Sequence, residues 1–560
     1  MYYTKGVWNR LLGILLLLCL GTMAPAQKKS VLPKGGKAKG DPPKVALIWG
    51  DTFQIPNHYT SLALLRIPGK GLVEVFNRDL KSFLLKKHEG HAKMPEMNNI
   101  TLDFLPAATT SELFVTLRGH IYWLYSYWEK ESSIERICAR ELDVQHLTFG
   151  EQKVVLQFQN KISSGAKPLL HDDASLALTR IQGYTARKYQ FTVNTDSSRL
   201  SIQYTLKSVA KDVDKAPDVL SIHTFDEHLV SIHRDQYTMP YNRERMEIAD
   251  YRLDTANKPC FLARVFDNPK PVTGSEGKYH LEAFHFQPGD AVPKIILVGA
   301  EGMNTQSLRL FQDKQGRMFC AGTYSHTEGT GEEGFCMLKL DLENNTALPY
   351  GQGIYPFPAE QKSVSDKAHV PAKPRANQAE PVKLPLSLLG LCFHPNGTIT
   401  VAGEEQGITQ TEIPGKKGKT ETQNTYHYGT IVLMQLDPGG NMKWLKRIPK
   451  LQNGKEEEGE MSCAVGMSGN ETVVVYVDDP KNLKLRSNQP PAAFADGSSA
   501  SLLYMYIDAL GKETRGALFD AKLKKLLVYP ARFRQLSPVR MAGEAIGPEA
   551  ETSFYVGINE

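Results

Sequence analysis

Short apolar runs alternate with turn signals along most of the chain, and the clearest set lies between residues 391 and 448. Leu391-Cys-Phe-His394 is apolar and is followed by Pro395-Asn-Gly397, where Asn and Gly tolerate the positive φ of a tight turn. Thr398-Ile-Thr-Val-Ala402 is β-branched and closes at Gly403, which predicts a second strand. After a long polar stretch, Thr430-Ile-Val-Leu-Met-Gln-Leu436 is a third apolar run. Asp437-Pro-Gly-Gly-Asn441 then turns the chain into a fourth, Met442-Lys-Trp-Leu-Lys-Arg-Ile448. We denote these strands a to d.

The same order of signals recurs. Residues 307–341 repeat strands a to c, with Cys320-Ala-Gly322 in the place of Val401-Ala-Gly403, and residues 464–508 repeat them again. Looser copies cover 113–143, 189–226 and 248–287, and a truncated copy after Phe519 ends near Ile558. Four-stranded repeats of roughly 40 to 60 residues predict an all-β chain folded as a β-propeller of four-stranded blades. Seven blades fit best, within a range of six to eight, because residues 59–105 match the template poorly. The apolar run Lys44-Val-Ala-Leu-Ile-Trp49 is expected to complete the truncated copy, so that N- and C-terminal strands close the ring. A β-sandwich or several small β domains is the competing architecture, since these also give short strands between turns.

Residues 1–26 have the form of a signal peptide: Lys5 and Arg10, an apolar stretch at 11–20 too short to span a bilayer, and Ala24-Pro-Ala26 as a cleavage site. The mature chain would begin at Gln27, with 27–43 a flexible arm of Lys, Gly and Pro and 44–560 a single propeller domain. The proline-rich stretch near 355–385 reads as a disordered insert. No later run is long and apolar enough to form a transmembrane helix. Export to the periplasm, the cell surface or the medium is the expectation.

A formal charge of +5 over 560 residues gives no reason to expect nucleic acid as a partner. G-x-S-x-G, H-E-x-x-H and Gly-rich phosphate loops are absent from the sequence, so no nucleophilic, zinc-protease or nucleotide chemistry is indicated and no cofactor is assigned. Cys320 and Cys336 fall on adjacent strands and form the candidate disulfide pair, against the plainer reading of buried thiols packed as small hydrophobes.

The connections are unequal. Those between a and b and between c and d are short, whereas the b–c connections (324–334, 404–428, 478–499) and the d–a connections (160–186, 235–244, 350–385, 451–460) are long. In a blade these two long sets emerge on one face, which is where binding or chemistry would sit. Its candidate binding residues are His171, Asp172, Asp173, Tyr241, Arg243, Arg245, Glu404, Glu405, Tyr426, His427 and Tyr428. His171-Asp-Asp173 has metal-ligand chemistry, but its spacing matches no metal loop and Asp-rich turns are common, so no metal is assigned. Glu404 and Glu405 are adjacent on an extended segment and point in opposite directions, so they cannot form a catalytic pair by themselves.

The run L-M-Q-L-D-P-G-G-N-M-K-W-L-K-R-I at 433–448 resembles the c–d hairpin of secreted bacterial β-propellers and the tail of a quinoprotein-type repeat. Asp341 and Asp508 keep the motif in other blades, but the Trp does not recur, so no quinone is carried over. The signal sequence followed by Gln27 is similar to those of exported Bacteroidetes-like proteins. The resemblance implies a fold and an address. The functional expectation is an exported binding propeller of the cell envelope that takes a protein or a glycan on its long-loop face. The alternative is a polysaccharide-acting hydrolase or lyase with carboxylates at the mouth of the central channel.

Overall fold

Residues 71–79 and 82–88 show why the sheets form: their central positions are buried on both faces, with Glu74 and Lys86 ion-paired inside at 3.3 Å, and they meet at a turn where Asp79 Oδ1 accepts from the amides of Lys81 and Ser82 at 2.9 and 2.8 Å. With 60–67 and 96–101 they complete a four-stranded antiparallel sheet in the region the sequence template fitted poorly. The mismatch has a physical cause, because its outer strand is the polar Glu96–Thr101 and none of its turns uses the Asp-Pro-Gly-Gly pattern.

The computed structural model describes residues 45–53, 59–67, 71–88, 96–106, 109–159, 162, 188–205, 217–242, 244–268, 278–287, 290, 292–299, 303–326, 334–358, 384–414, 420–454, 461–485, 489–495, 501–520, 526–530, 533–537, 539–546 and 551–558. The expected signal peptide, the basic arm and most of the 355–385 insert lie outside them. The described residues form eight sheets, one more than the sequence favoured. In chain order the blades are 60–101, 110–158, 190–242, 246–298, 303–356, 386–448, 463–520 and 527–558, the last completed by Val45–Phe53. That strand runs antiparallel to Glu551–Ile558, with Val45 opposite Ile558.

The fold is an all-β propeller, and its core is a series of layers between neighbouring sheets. Phe83, Phe114 and Trp123 join the first blade to the second, and Ile222, Phe261 and Phe284 the third to the fourth. Ala402, Leu433, Val474 and Met505 join the sixth to the seventh. Leu72 of the first blade packs on Ala542 of the eighth. The Val473–Val477 run is wholly buried because an inner strand has neighbours on both faces, which explains its unbroken apolar sequence.

One turn recurs around the ring. Asp226, Asp254, Asp313, Asp437 and Asp508 each end a strand and accept from the amide four residues on, at 2.8 or 2.9 Å. The third residue after each Asp has positive φ: Leu229, Asn257, Gly316, Gly440 and Gly511. Glycine is required at 440, where a Cβ would stand 2.5 Å from the Gly351 nitrogen of the preceding blade.

Two expected connections are strands instead. Ser231–Asn242 pairs with Pro217–Phe225 as the outer strand of the third blade, and Thr346–Pro356 is the outer strand of the fifth. Outer strands face solvent, so their polar sequences resemble loops. Cys320 and Cys336 are both buried free thiols, and the candidate disulfide is not formed. Cys320 stands opposite Leu338, and Cys336 opposite Gly322, so the two thiols are not register partners. Among the described residues no helix is long and apolar enough to cross a membrane.

Candidate functional site

The third correction to the loop assignments is the largest. The stretch 404–428 is a paired hairpin: Ile399–Pro414 and Thr420–Leu436 stay in antiparallel register out to Pro414 opposite Thr420. Alternating Thr, Gln, Ile and Tyr favour an extended strand, and the ends are exposed. At its root the hairpin gains a neighbour, because Gln452–Gly454 pairs with Tyr426–Tyr428, and Phe494–Ala495 then pairs in parallel with Gln452 and Asn453. Connections from two blades are thereby knitted into one platform.

Register decides what the platform presents. Ile408 stands opposite Tyr426 and Gln406 opposite Tyr428, so Ile408, Tyr426 and Tyr428 share one face, with Gln410 and Asn424 beyond them joined at 3.3 Å. Ile408 is 54% exposed and both tyrosines are half-buried. His427 lies on the other face, between Thr409 Oγ1 at 2.7 Å and Asn453 Oδ1 at 2.6 Å.

Beneath the platform lies a buried polar network. The Lys450 ammonium forms an ion pair with Glu404 Oε1 at 2.7 Å, and both side chains are wholly buried. Lys450 also donates to Gln452 Oε1 at 2.8 Å, and Glu404 Oε2 accepts from Ser462 and Gln406 at 2.6 and 2.7 Å. Gln452 donates to the Val477 carbonyl of the next blade at 2.5 Å. Asp478 is the network's second buried carboxylate; it accepts from Asn482 at 3.0 Å, and burial pushes it up to about 7 against the opposing pull of Asn482 and Lys450. Glu405 points the other way, as expected, to Arg447 at 3.1 Å and the Thr430 amide at 3.0 Å. Gly429 lets the chain pass this carboxylate, since a Cβ there would stand 2.7 Å from Glu405 Oε2.

Chemically, Glu404 and Asp478 come from different blades, yet both are fully buried and engaged by the protein, Glu404 by Lys450, Ser462 and Gln406 and Asp478 by Asn482. They anchor the platform; they do not face a substrate.

A second cluster joins the third and fourth blades. Tyr241 donates to Glu282 Oε1 at 3.0 Å, His280 Nε2 meets the same oxygen at 2.9 Å, and Arg245 stacks on the Tyr241 ring at 5.7 Å. Burial raises Tyr241 above the ordinary phenol value, with the Glu282 hydrogen bond and charge adding to it and Arg245 opposing. Sequence reasoning singled out Tyr241 and Arg245 but missed His280 and Glu282, which are ordinary alternating positions of the strand Tyr279–His285. His171, Asp172, Asp173 and Arg243 lie outside the described residues.

No protein-family model matches the chain, and no curated protein matches it in sequence. Solved structures similar to it include an α-L-arabinanase of Penicillium chrysogenum, at 10% identity over 68% of this chain and 98% of that one, with a TM-score of 0.29. The polysaccharide lyase Uly1 gives 9% identity over 80% and 90%, with a TM-score of 0.33. The β-propeller domain of the Trilobed protease of Pyrococcus furiosus gives 10% over 84% and 97%, with a TM-score of 0.31.

Proposed function

We propose that this is an exported binding propeller of the cell envelope, and that the hairpin platform of the sixth and seventh blades holds its partner, a protein or a glycan. The observation that carries the reading is the knitting of two blades' connections into one sheet seated on a buried ion-pair network. Ordering so much chain at a periphery costs conformational entropy, which a binding surface gains from by being preorganised. Ile408, Tyr426 and Tyr428 supply an apolar and aromatic centre, and Gln410 and Asn424 a polar surround. The signal-peptide form of residues 1–26 supports export.

The alternative of a polysaccharide-acting hydrolase or lyase asks for accessible carboxylates from two blades. Burial of Glu404 and Asp478 weighs against that pair. The test is a pull-down from mildly crosslinked envelope extract with the chain from Gln27 onward, alongside a variant whose residues 407–427 are replaced by Asn-Gly. A partner captured by the first and lost by the second supports the proposal; equal capture by both removes the platform as the site.

A further inference from the structure

The fourth blade exposes an edge that the platform does not explain. Its outer strand, Lys294–Val298, is the last of its sheet among the described residues, so one side of its backbone has no strand partner there. Ile296 and Val298 are buried, whereas Ile295 is 43% and Leu297 69% exposed, and Val292 just before the strand is 64% exposed. Edge strands are ordinarily blunted by proline, inward charge or a covering loop; here Pro293 stands only at the entrance, and the strand itself carries a single lysine, at its start.

The exposed face leads to an unsatisfied group. Leu297 stands opposite Glu282 and Ile295 opposite Phe284, so these side chains share a face. Glu282 is 6% exposed; its Oε1 takes Tyr241 and His280, while its Oε2 is buried without a hydrogen-bond partner among the described residues. Asp267, 3.6 Å from His280 Nδ1, adds a second negative charge nearby. A buried carboxylate oxygen without a donor is costly, and a cation is the group that relieves it best.

We propose that the outer edge of the fourth blade binds an extended segment of a partner protein as a fifth strand, with a lysine of that segment reaching over Leu297 to Glu282 Oε2. A backbone edge calls for amides and carbonyls at strand spacing, which a peptide has. The added strand would lie about 4.8 Å beyond strand d and so about 9.6 Å from the strand bearing Glu282. Lysine and glutamate side chains together span that gap, and the lysine stem covers the exposed Leu297 as it crosses.

The test uses the chain from Gln27 onward and a fluorescein-labelled heptapeptide of alternating threonine and valine with lysine at the centre, read by anisotropy. A matched peptide carries norleucine in place of the lysine. The lysine peptide is expected to bind about tenfold tighter, the range for a hydrogen bond to a charged group. Glu282→Gln should bring the two peptides within about twofold, on the same estimate. Leu297→Lys, at an exposed position that the fold tolerates, should abolish binding of both. Equal affinities in the unmodified chain, binding indifferent to Leu297→Lys, or no binding at about 1 mM peptide, the weakest affinity worth calling specific, would each overturn the proposal. So would a dimer, seen by sedimentation, that Leu297→Lys dissolves, which would assign the edge to a second copy of this chain.

Discussion

Lys450→Met should destabilise the contact between the sixth and seventh blades by about 3 to 5 kcal/mol, because it leaves the wholly buried Glu404 carboxylate without its counter-charge. Ser462 and Gln406 still donate to Glu404 Oε2 in the variant, so the carboxylate keeps those hydrogen bonds and loses its counter-charge, while Gln452 Oε1 loses the lysine donor and keeps the Ser462 amide. Glu404→Gln combined with Lys450→Met removes both charges and should lie within about 1 kcal/mol of the unmodified protein, as exchange of buried pairs for neutral groups generally does. A ring of this size need not unfold in one step, so the assay is hydrogen exchange of the amides in 399–405 and 472–478, which reports local opening. A single-variant cost under about 1 kcal/mol, or a double variant as damaged as the sum of the singles, would refute the reasoning and imply that water reaches the network.

Two further outcomes follow from the same structure. Asp478 sits at about 7 in the folded state against an ordinary 3.8, chiefly through burial, so between those values the native state holds the extra proton. Stability should fall as the pH rises through that window and level off above it; Asp478→Asn should flatten the dependence, and an unchanged thermal-melting profile would disprove it. Gly440→Ala, at φ +85° with its Cβ 2.5 Å from the Gly351 nitrogen, should cost at least about 2 kcal/mol and lower Tm by about 2 °C or more. A variant melting with the parent would show that the turn can shift.

The fold was legible wherever a strand has neighbours on both faces, because burial forces an unbroken apolar run, as in Thr472–Val477 or Thr430–Leu436. Outer strands were missed for the opposite reason: in Ser231–Asn242 most positions face water, and the pattern that marks a strand is diluted. Glu404, Glu405 and the Tyr426–Tyr428 run were found from their place in a long b–c connection, although that connection proved to be a hairpin. Lys450, Gln452, Ser462 and Asn482 were invisible as partners, since they come from connections and strands joined only by the three-dimensional stacking of two blades. Hydrophobic periodicity reports what one strand buries, and it carries no signal for which polar atoms meet across a layer.

The seam in the eighth blade bears on how the ring comes into being. Val45 and Ile558 pair although they lie about 500 positions apart. Loop-closure entropy grows only with the logarithm of length, so joining ends that far apart costs roughly 2 kcal/mol more than joining positions about 50 apart. Such a surcharge is small beside the layer of side chains it completes. The constraint is one of timing: a chain delivered from its amino end presents residues 45–53 first and their partner strand last. Throughout synthesis, the opening strand waits beside an incomplete circle.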